Sequence, residues 1–209
     1  TRTRVSFFIG MKKIGGNVIE LDKKEIGLGK RESYSDIIKT LSQYVDCLLI
    51  RNNDHKKIKS LSEMNIMPII NGLSDQSHPC QVLSDIFTIQ ENLGNIANKN
   101  ICWIGDINNV LKSFIQASQI FNFKLLIASP KKILYQNDLL LNKFSSKNII
   151  FSDDPKVSAT NADCIMTDTW VSMGEKKLSS KKKLFKDFQV NDKIMKSANK
   201  RALFMHCLP

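Results

Sequence analysis

The sequence predicts an α/β fold of two domains, each a parallel sheet flanked by helices, with a long helix joining the two. Short apolar runs alternate with segments of helical spacing, a pattern typical of parallel sheets covered on both faces. The 209 residues are enough for two small domains with cores of their own. Hydrophobic residues make up 42% of the chain and charged residues 24%, which is ordinary for a globular protein.

The predicted strands are short runs with the length and composition of buried β-strands. They lie at 17–21, 47–51, 67–70, 101–104, 123–128, 148–151, 164–167 and 202–205. Ligands of parallel sheets gather beyond the carboxyl ends of the strands. Polar residues that directly follow these runs are therefore the first candidates for a functional site.

The segments between these runs have helical spacing. They lie at 33–45, 55–64, 110–121 and 133–143. Ser33 followed by Asp36 predicts a weakened capping box at the start of the first of them. The most regular helix is 79–93, because Pro79 suits a first helical position and Gly94 suits the end of a helix.

The domain boundary is predicted near residue 94, where the polar sequence GNIANKN follows the long helix. We expect a first domain at 1–94 and a second at 95–209. The chain starts on Thr1 and stops on Pro209 directly after an apolar run, which predicts a fragment truncated at both ends.

Composition excludes several classes of protein. The five cysteines occur singly, without the spacing of a zinc site or a disulfide framework. No apolar run approaches the ~20 residues that span a bilayer, and TRTRVSFF does not resemble a signal peptide, so a cytoplasmic location is expected. The net charge of +11 leaves a nucleic-acid-binding protein as an alternative. The lysines, however, are spread along the chain without interleaved aromatic residues.

Two basic motifs in the first half could bind an anion. Thr1-Arg2-Thr3-Arg4 precedes an amphipathic stretch, and hydroxyl and guanidinium groups at the start of a helix surround a phosphate well. Arg51 follows an apolar run, which places it at the carboxyl end of a strand. Taken alone, the first motif is better explained as a frayed basic terminus, and the second equally well as a surface arginine.

His78-Pro79-Cys80-Gln81 is more informative. Pro79 places His78 at the N-cap of the helix and Gln81 one turn further on, so the two side chains can face one ligand. A histidine donor polarises a carbonyl group, and a glutamine oxygen accepts a hydrogen bond from an N–H group. This pair suits a carbamoyl group, although a capping histidine with an exposed glutamine is the plain alternative.

Two glycine motifs suggest nucleotide binding, but neither matches the full pattern of a nucleotide-binding motif. Gly105 follows a strand, but the G-x-G-x-x-G pattern of a dinucleotide turn is absent and Asn108-Asn109 occupies the turn instead, which argues against a nicotinamide-dependent dehydrogenase. At 27–30 the sequence GLGK hints at a P-loop, but Arg31 occupies the position of the required serine or threonine.

The second half carries two further motifs at strand ends. Asp168 begins DTWVSMG after the run 164–167, where a carboxylate could hold an amino group or serve only as a turn cap. Cys207 lies in HCLP after the run 202–205, where a thiol could meet an amine or be a buried cysteine in a turn.

Taken together and in this order, TRTR, HPCQ, DTWVSMG and HCLP resemble the ornithine carbamoyltransferase family over nearly the whole chain. TRTR and the HPxQ pattern are shared with the aspartate carbamoyltransferases, whereas DTWVSMG and HCLP favour ornithine. Carbamoyltransferases acting on aspartate, putrescine or N-acylornithine are the alternatives. The resemblance implies a carbamoyl phosphate-binding domain at 1–94 and an ornithine-binding domain at 95–209.

The resemblance implies an enzyme that makes citrulline and phosphate from carbamoyl phosphate and L-ornithine in arginine metabolism, without distinguishing synthesis from breakdown. It implies no metal or organic cofactor and, for the full-length protein, a homotrimer with active sites between subunits. It assigns Arg51, His78 and Cys207 as catalytic. The residues that it assigns to carbamoyl phosphate are Thr1, Arg2, Thr3, Arg51, His78, Gln81, Cys207 and Leu208, and those that it assigns to ornithine are Asn109, Asp168, Ser172 and Met173.

Overall fold

The structure is a computed structural model that describes residues 2–22, 32–144, 146–171 and 178–207, without the side chains of Leu140 and Leu178. Contacts divide the chain into two compact units, Thr1–Asp75 and Gln76–Pro209. The predicted α/β class, with two domains built on parallel sheets flanked by helices, is confirmed. The change of domain near residue 94 remains a prediction.

The first unit contains a two-stranded parallel sheet and three helices among its described residues. In chain order these are α1 (Arg2–Lys13), α2 (Tyr34–Leu41), β1 (Leu48–Arg51), α3 (His55–Glu63) and β2 (Ile69–Leu73). Strands β1 and β2 pair in parallel, with Leu49 opposite Ile70. Ile37, Ile38 and Leu61 are buried and supply the apolar faces of α2 and α3.

The strand predicted at 17–21 is wrong. This segment has no regular secondary structure, and 67% of Ile19 is exposed. Its β-branched composition suits a strand, but within the described ranges no strand lies beside it to complete a ladder of hydrogen bonds. Glu20 instead forms a 3.0 Å ion pair with Arg4 of α1.

The predicted N-cap of α2 is confirmed. The hydroxyl oxygen of Ser33 accepts a hydrogen bond from the Asp36 backbone N–H at 3.1 Å, and the Ser33 hydroxyl donates to an Asp36 carboxylate oxygen at 2.6 Å. The Ser33→Ala substitution is expected to lower the free energy of unfolding by about 1 kcal/mol, because a backbone donor then loses its partner. Urea titration measures this loss. Ser42→Ala, at the other end of the helix, is the control, and an equal loss there would contradict the capping role.

The second unit contains a five-stranded parallel sheet with the order β5-β4-β3-β6-β7. Its strands are β3 (Asn100–Ile104), β4 (Lys124–Ala128), β5 (Ile149–Ser152), β6 (Cys164–Thr167) and β7 (Leu203–His206). Its helices are α4 (Pro79–Leu93), α5 (Asn109–Phe121), α6 (Lys131–Gln136), α7 (Asp138–Phe144), α8 (Pro155–Ala159), α9 (Leu178–Leu184) and α10 (Asp192–Met195), with a 3₁₀ turn at Lys186–Phe188. Within the described ranges, no helix combines the length and the apolar composition of a membrane-spanning segment.

The single helix predicted at 133–143 is wrong, because the chain forms two helices there, α6 and α7. Asn137 lies between them with φ −111° and ψ 14°. Its side-chain amide donates to the Ile133 carbonyl at 2.9 Å. Asparagine side chains compete in this way with the hydrogen bonds of the helix and favour its end.

The core of the second unit is built on β3, whose residues Ile101 to Ile104 are buried. The Trp103 and Phe114 rings lie 6.2 Å apart, and Phe123 meets Phe114 edge-on at 6.4 Å. These contacts hold α5 against the sheet. A rigid α5 matters for function because its first residues lie at the carboxyl end of β3.

The order of the strands creates a switch point between β3 and β6. From β3 the chain moves outward through β4 to β5, and it then returns to β6 and moves the other way to β7. In open parallel sheets such a reversal leaves a crevice beyond the carboxyl ends of the two central strands. The residues that follow β3 and β6 therefore lie where this fold favours a ligand.

Candidate active site

Arg51 and Thr3 form the polar group of the first unit. Arg51 ends β1, and its guanidinium Nη1 donates to the Thr3 hydroxyl in the first turn of α1 at 2.8 Å, across 48 residues of chain. The first turn of a helix has unsatisfied N–H groups and the positive end of the dipole. The hydrogen bond therefore brings a cation to a helix start, an arrangement that favours an anion. Arg4 is engaged elsewhere, in its ion pair with Glu20.

His78 is held at the start of α4 by its backbone. Its N–H donates to the Ser113 hydroxyl oxygen of α5 at 2.8 Å, and the Ser113 hydroxyl donates to the Asn109 carbonyl at 3.1 Å. The His78 imidazole makes no capping hydrogen bond to the helix, so the plain capping alternative does not apply. The predicted helix, from Pro79 to Leu93 with Gly94 as the C-cap at φ 72°, is confirmed.

Gln81 is hydrogen-bonded to a carboxylate that the sequence analysis did not single out. Its side-chain Nε2 donates to Asp85 Oδ1 at 2.9 Å, one turn further along α4. Only 7% of Asp85 is exposed, and among the described residues its second oxygen, Oδ2, has no hydrogen-bond partner. Burial raises the pKa of Asp85 to about 6; the hydrogen bond from Gln81 lowers it, and the negative charge of Asp168 raises it further.

Asp85 is expected to make the stability of the chain depend on pH. Its pKa is about 6 in the folded chain and 3.8 for an ordinary aspartate carboxyl, so between these values the folded state binds more protons than the unfolded state. Protonation of Asp85 therefore stabilises the fold below about pH 4, and this stabilisation is lost as the pH rises through 6. With about 1.4 kcal/mol per pKa unit, the loss is about 3 kcal/mol. The Asp85→Asn substitution should remove it and raise the free energy of unfolding at pH 7.5.

Urea titrations at pH 4.5 and 7.5 should show about 2 kcal/mol of this loss, because Asp85 in the unfolded chain is already mostly ionised at pH 4.5. Glu91→Gln changes an exposed carboxylate on the same helix and should keep the wild-type difference between the two pH values. An Asp85→Asn chain that still loses as much stability as the wild type over this range would contradict the assignment to Asp85.

Asp168 lies directly after β6, at the switch point. Its Oδ2 accepts a 2.6 Å hydrogen bond from Asn108 Nδ2, and its Oδ1 accepts one of 2.6 Å from the Thr169 backbone N–H. Asn108 follows β3 and is also the N-cap of α5, where its oxygen accepts from Val110 and Leu111. The carboxylate of Asp168 is therefore held by groups from both sides of the switch point.

Cys207 follows β7, and its thiol is hydrogen-bonded to Asp168. Burial raises the pKa of this thiol, and the hydrogen bond and negative charge of Asp168, together with the charge of Asp85, raise it further. A cysteine in these surroundings stays protonated at neutral pH. It donates a hydrogen bond to Asp168 and is a poor acceptor for a proton.

An ion pair links the turn after β3 to α9. Lys181 Nζ lies 2.6 Å from Asp106 Oδ2, and both side chains are 16% exposed. The Trp103 indole donates to the Asp106 carbonyl at 3.0 Å. Gly105 before it has a φ of 153°, which L-residues rarely adopt. These contacts define the path of the turn between β3 and Asn108.

A cleft of about 430 Å³ opens beside Asp168. Thr169, Trp170, Val190 and Phe204 give it a mostly apolar wall. His206 also lines it, and among the described residues its buried Nδ1 has no hydrogen-bond partner. Within the described ranges, no group of three His, Cys, Asp or Glu side chains is placed to hold a metal ion.

The candidate residues from the sequence fall into separate groups. Arg51 and Thr3 are brought together, as are Asp168 and Cys207. Asn109 is the first residue of α5, beside the Asn108 that contacts Asp168. The predicted residues Thr1, Ser172, Met173 and Leu208 lie outside the described residues.

Sequence reasoning missed Asn108 and Asp85. Asn108 lies beside Asn109 in a turn that departs from the dinucleotide pattern, but an asparagine two residues before a helical apolar pair is also a recognisable N-cap. Asp85 is four residues after Gln81, a spacing that brings side chains together on a helix. An aspartate on the apolar face of a helix was the available signal.

The fold and these polar groups define an α/β protein with an arginine at a strand end of one unit and a carboxylate at the sheet switch point of the other. Two family models match the chain. They are aspartate/ornithine carbamoyltransferase, carbamoyl-P binding domain, over residues 1–91, and aspartate/ornithine carbamoyltransferase, Asp/Orn binding domain, over residues 97–209. The chain belongs to the aspartate/ornithine carbamoyltransferase family.

Relatives and solved structures agree with this membership. The chain is 46% identical over 211 residues to an ornithine carbamoyltransferase of Ruthia magnifica, covering 100% of this chain and 70% of the relative. It is 44% identical to one of Rhodopseudomonas palustris, covering 100% and 67%. The crystal structure of an ornithine carbamoyltransferase from Pyrococcus furiosus matches with a TM-score of 0.89 at 37% identity, over 100% of this chain and 68% of that one.

Proposed function

We propose that this chain belongs to an enzyme that transfers the carbamoyl group of carbamoyl phosphate to the side-chain amine of L-ornithine, giving citrulline and phosphate. Its relatives at 44–46% identity carry the name ornithine carbamoyltransferase. The observation that carries the proposal is the hydrogen bond from Arg51 to Thr3, because it joins the two basic motifs that share no local structure into one anion site. Transfer to another amine is the second candidate.

The phosphate of the donor is assigned to Thr1, Arg2, Thr3 and Arg51. The hydroxyl and N–H groups at the start of α1 donate to phosphate oxygens, and the guanidinium group adds a fixed positive charge. As phosphate leaves, negative charge grows on its bridging oxygen. Arg51 stabilises this charge, and its hydrogen bond to Thr3 at 2.8 Å keeps it oriented beforehand.

The carbamoyl group is assigned to His78 and Gln81, with Cys207 and Leu208 beside it. The imidazole donates to the carbonyl oxygen, on which charge develops when the amine attacks. The Gln81 oxygen accepts from the carbamoyl NH₂. The Ser113 hydroxyl accepts from the His78 backbone N–H, and α4 begins directly after His78, so both help to keep His78 in place.

The amino acid is assigned to Asn109, Asp168, Ser172 and Met173, and the structure adds Asn108 as the group that orients Asp168. A carboxylate attracts the α-ammonium or δ-ammonium group of ornithine. The δ-amine must be neutral to attack, and a lysine-like amine has a pKa of about 10.4. Asp168 is the proton acceptor in this proposal, because the protonated thiol of Cys207 cannot serve.

We extend the proposal to assembly and location, with a homotrimer in the cytoplasm and no nucleic-acid partner. Val5 and Ile9 of α1 are 57% and 45% exposed, which supports contact with further protein surface. Light scattering of the purified protein measures the oligomer. Salt-dependent DNA binding would favour the alternative nucleic-acid-binding protein, since the net charge is +11.

A colorimetric citrulline assay with carbamoyl phosphate and L-ornithine tests the function. Aspartate, putrescine and N-acetylornithine at the same concentration are the competing acceptors. The proposal requires ornithine to give the highest kcat/KM, because Asp168 and the DTWVSMG motif serve a free amino acid with a side-chain amine. Faster carbamoylation of another acceptor would assign that acceptor as the substrate. No product with any acceptor from the full-length protein would reject carbamoyl transfer.

A further inference from the structure

The Gln81 side-chain amide can take two orientations, and the shape of the residue alone does not decide between them. A primary amide has an oxygen that accepts and an NH₂ group that donates, and the two ends have nearly the same shape. The carbamoyl NH₂ needs the oxygen. If the amide turned by half a rotation, two donors would face each other and the hydrogen bond would be lost.

Asp85 determines the orientation of the Gln81 side-chain amide. An ionised carboxylate only accepts hydrogen bonds, so the group that faces it must be the NH₂ of Gln81. The Nε2–Oδ1 distance is 2.9 Å, and the spacing of four residues on α4 keeps the two side chains adjacent. With Nε2 engaged by Asp85, the Oε1 atom is directed away from it and remains an acceptor.

The surroundings of Asp85 do not resemble those of a carboxylate that stabilises a fold. The side chain is 7% exposed, and Oδ2 is buried without a hydrogen-bond partner among the described residues. A buried, half-satisfied carboxylate costs free energy. Such a cost is typical of residues that serve function rather than stability.

We propose that Asp85 is a positioning residue that holds the Gln81 amide with its oxygen directed to the carbamoyl NH₂ of the substrate. This inference rests on the proposed function, because it takes Gln81 as the group that binds the carbamoyl NH₂. Asp85 then makes the site prefer a carbamoyl group over a carboxylate of the same shape. Asp85 does not touch the substrate itself and acts through Gln81.

The test compares three stable ligands by isothermal titration at pH 7.5. Phosphonoacetamide has the amide of carbamoyl phosphate on a non-hydrolysable P–C bond, phosphonoacetate has a carboxylate in place of that amide, and inorganic phosphate has neither. The wild type should prefer phosphonoacetamide. In Asp85→Asn the new amide can donate to Gln81 and stabilise the rotated form, so this preference should fall about tenfold, the value of one hydrogen bond. Affinity for inorganic phosphate should stay unchanged.

The Asp85→Ala substitution distinguishes a role of Asp85 in orienting the Gln81 amide from a role in packing. Alanine removes the acceptor without stabilising the rotated amide, so its preference for phosphonoacetamide should lie between those of the wild type and Asp85→Asn. A packing role predicts the reverse order, since alanine leaves a cavity that asparagine fills. Asp163→Asn is the matched control. It makes the same change at a carboxylate before β6, where Asp163 accepts from Asn100 and Asn199 at 2.8 Å and 2.9 Å.

Each result decides the question. A wild type that does not bind phosphonoacetamide rejects the proposed function. A wild type that binds it, with an unchanged preference in Asp85→Asn, rejects only the role of Asp85. Equal weakening of all three ligands, or unfolding of both Asp85 variants in thermal melts, assigns Asp85 to structure and also overturns the inference.

Discussion

The Arg51→Ala substitution is expected to lower kcat/KM for carbamoyl phosphate by about 10²–10³-fold, the usual effect of removing one preorganised donor from a developing charge. Arg51 is the cation that β1 delivers to the first turn of α1, and its 2.8 Å hydrogen bond to Thr3 limits its freedom before the substrate binds. Steady-state kinetics at saturating ornithine measure the effect. Because the charge develops as phosphate leaves, kcat should fall more than KM rises.

Arg4→Ala is the matched control for Arg51. Arg4 belongs to the same TRTR motif and the same helix, but its guanidinium Nε is 3.0 Å from Glu20 and both side chains are about half exposed. Its loss should leave kcat/KM within about threefold of the wild type, since exposed ion pairs contribute little. Equal losses in the two variants would show that general positive charge, rather than the Arg51 position, attracts carbamoyl phosphate.

The Asp168→Asn substitution is expected to lower kcat/KM for ornithine by about 10- to 100-fold. The loss of a charge-assisted hydrogen bond to the substrate ammonium, worth about 1.5–3 kcal/mol, gives this factor as a minimum, because the variant also loses the proposed proton acceptor. Asparagine keeps the shape and can still accept from the Asn108 amide, which holds Asp168 at 2.6 Å. The sheet should therefore stay intact. The measurement is the ornithine dependence of the rate, with circular dichroism to check the fold.

The Cys207→Ala substitution tests whether Asp168 or Cys207 accepts the proton of the ornithine amine. Burial and the neighbouring Asp168 raise the pKa of the Cys207 thiol, so it is already protonated at neutral pH. In the wild type, kcat/KM for ornithine should rise with pH, because only the neutral amine attacks. Cys207→Ala should keep this rise and its midpoint. A midpoint that moves would return the proton-accepting role to Cys207.

The local structure around the site could be predicted from the sequence because it depends on neighbouring residues. The start of α4 at Pro79, its end at Gly94 and the N-cap at Ser33 follow from the conformations and side-chain oxygens of those residues. The strand ends that carry Arg51 and Asp168 follow from apolar runs of the right length. Where a run has no partner strand among the described residues, as at 17–21, the same reasoning predicted a strand that does not form.

The contacts that orient the site depend on residues far apart in the chain, and the sequence carries no direct sign of them. Arg51 meets Thr3 across 48 residues, and Asn108 meets Asp168 across 60. The order of the strands, which brings β3 beside β6, produces the second of these contacts. Motif order indicated that these residues share a function, but it could not indicate that Asn108 holds Asp168.

What the sequence determined by itself is the class of fold, the ends of its main helices and the family to which its motifs belong. Only the tertiary structure decided the charge states and the orientation of the site. The sequence places Asp85 on the apolar face of a helix, but its pKa rises to about 6 only because the fold removes water from it and places Asp168 near it. The physical reason is that secondary-structure propensity depends on residues adjacent in the sequence. Burial and electrostatic interactions depend on side chains that the fold brings together from distant parts of the chain.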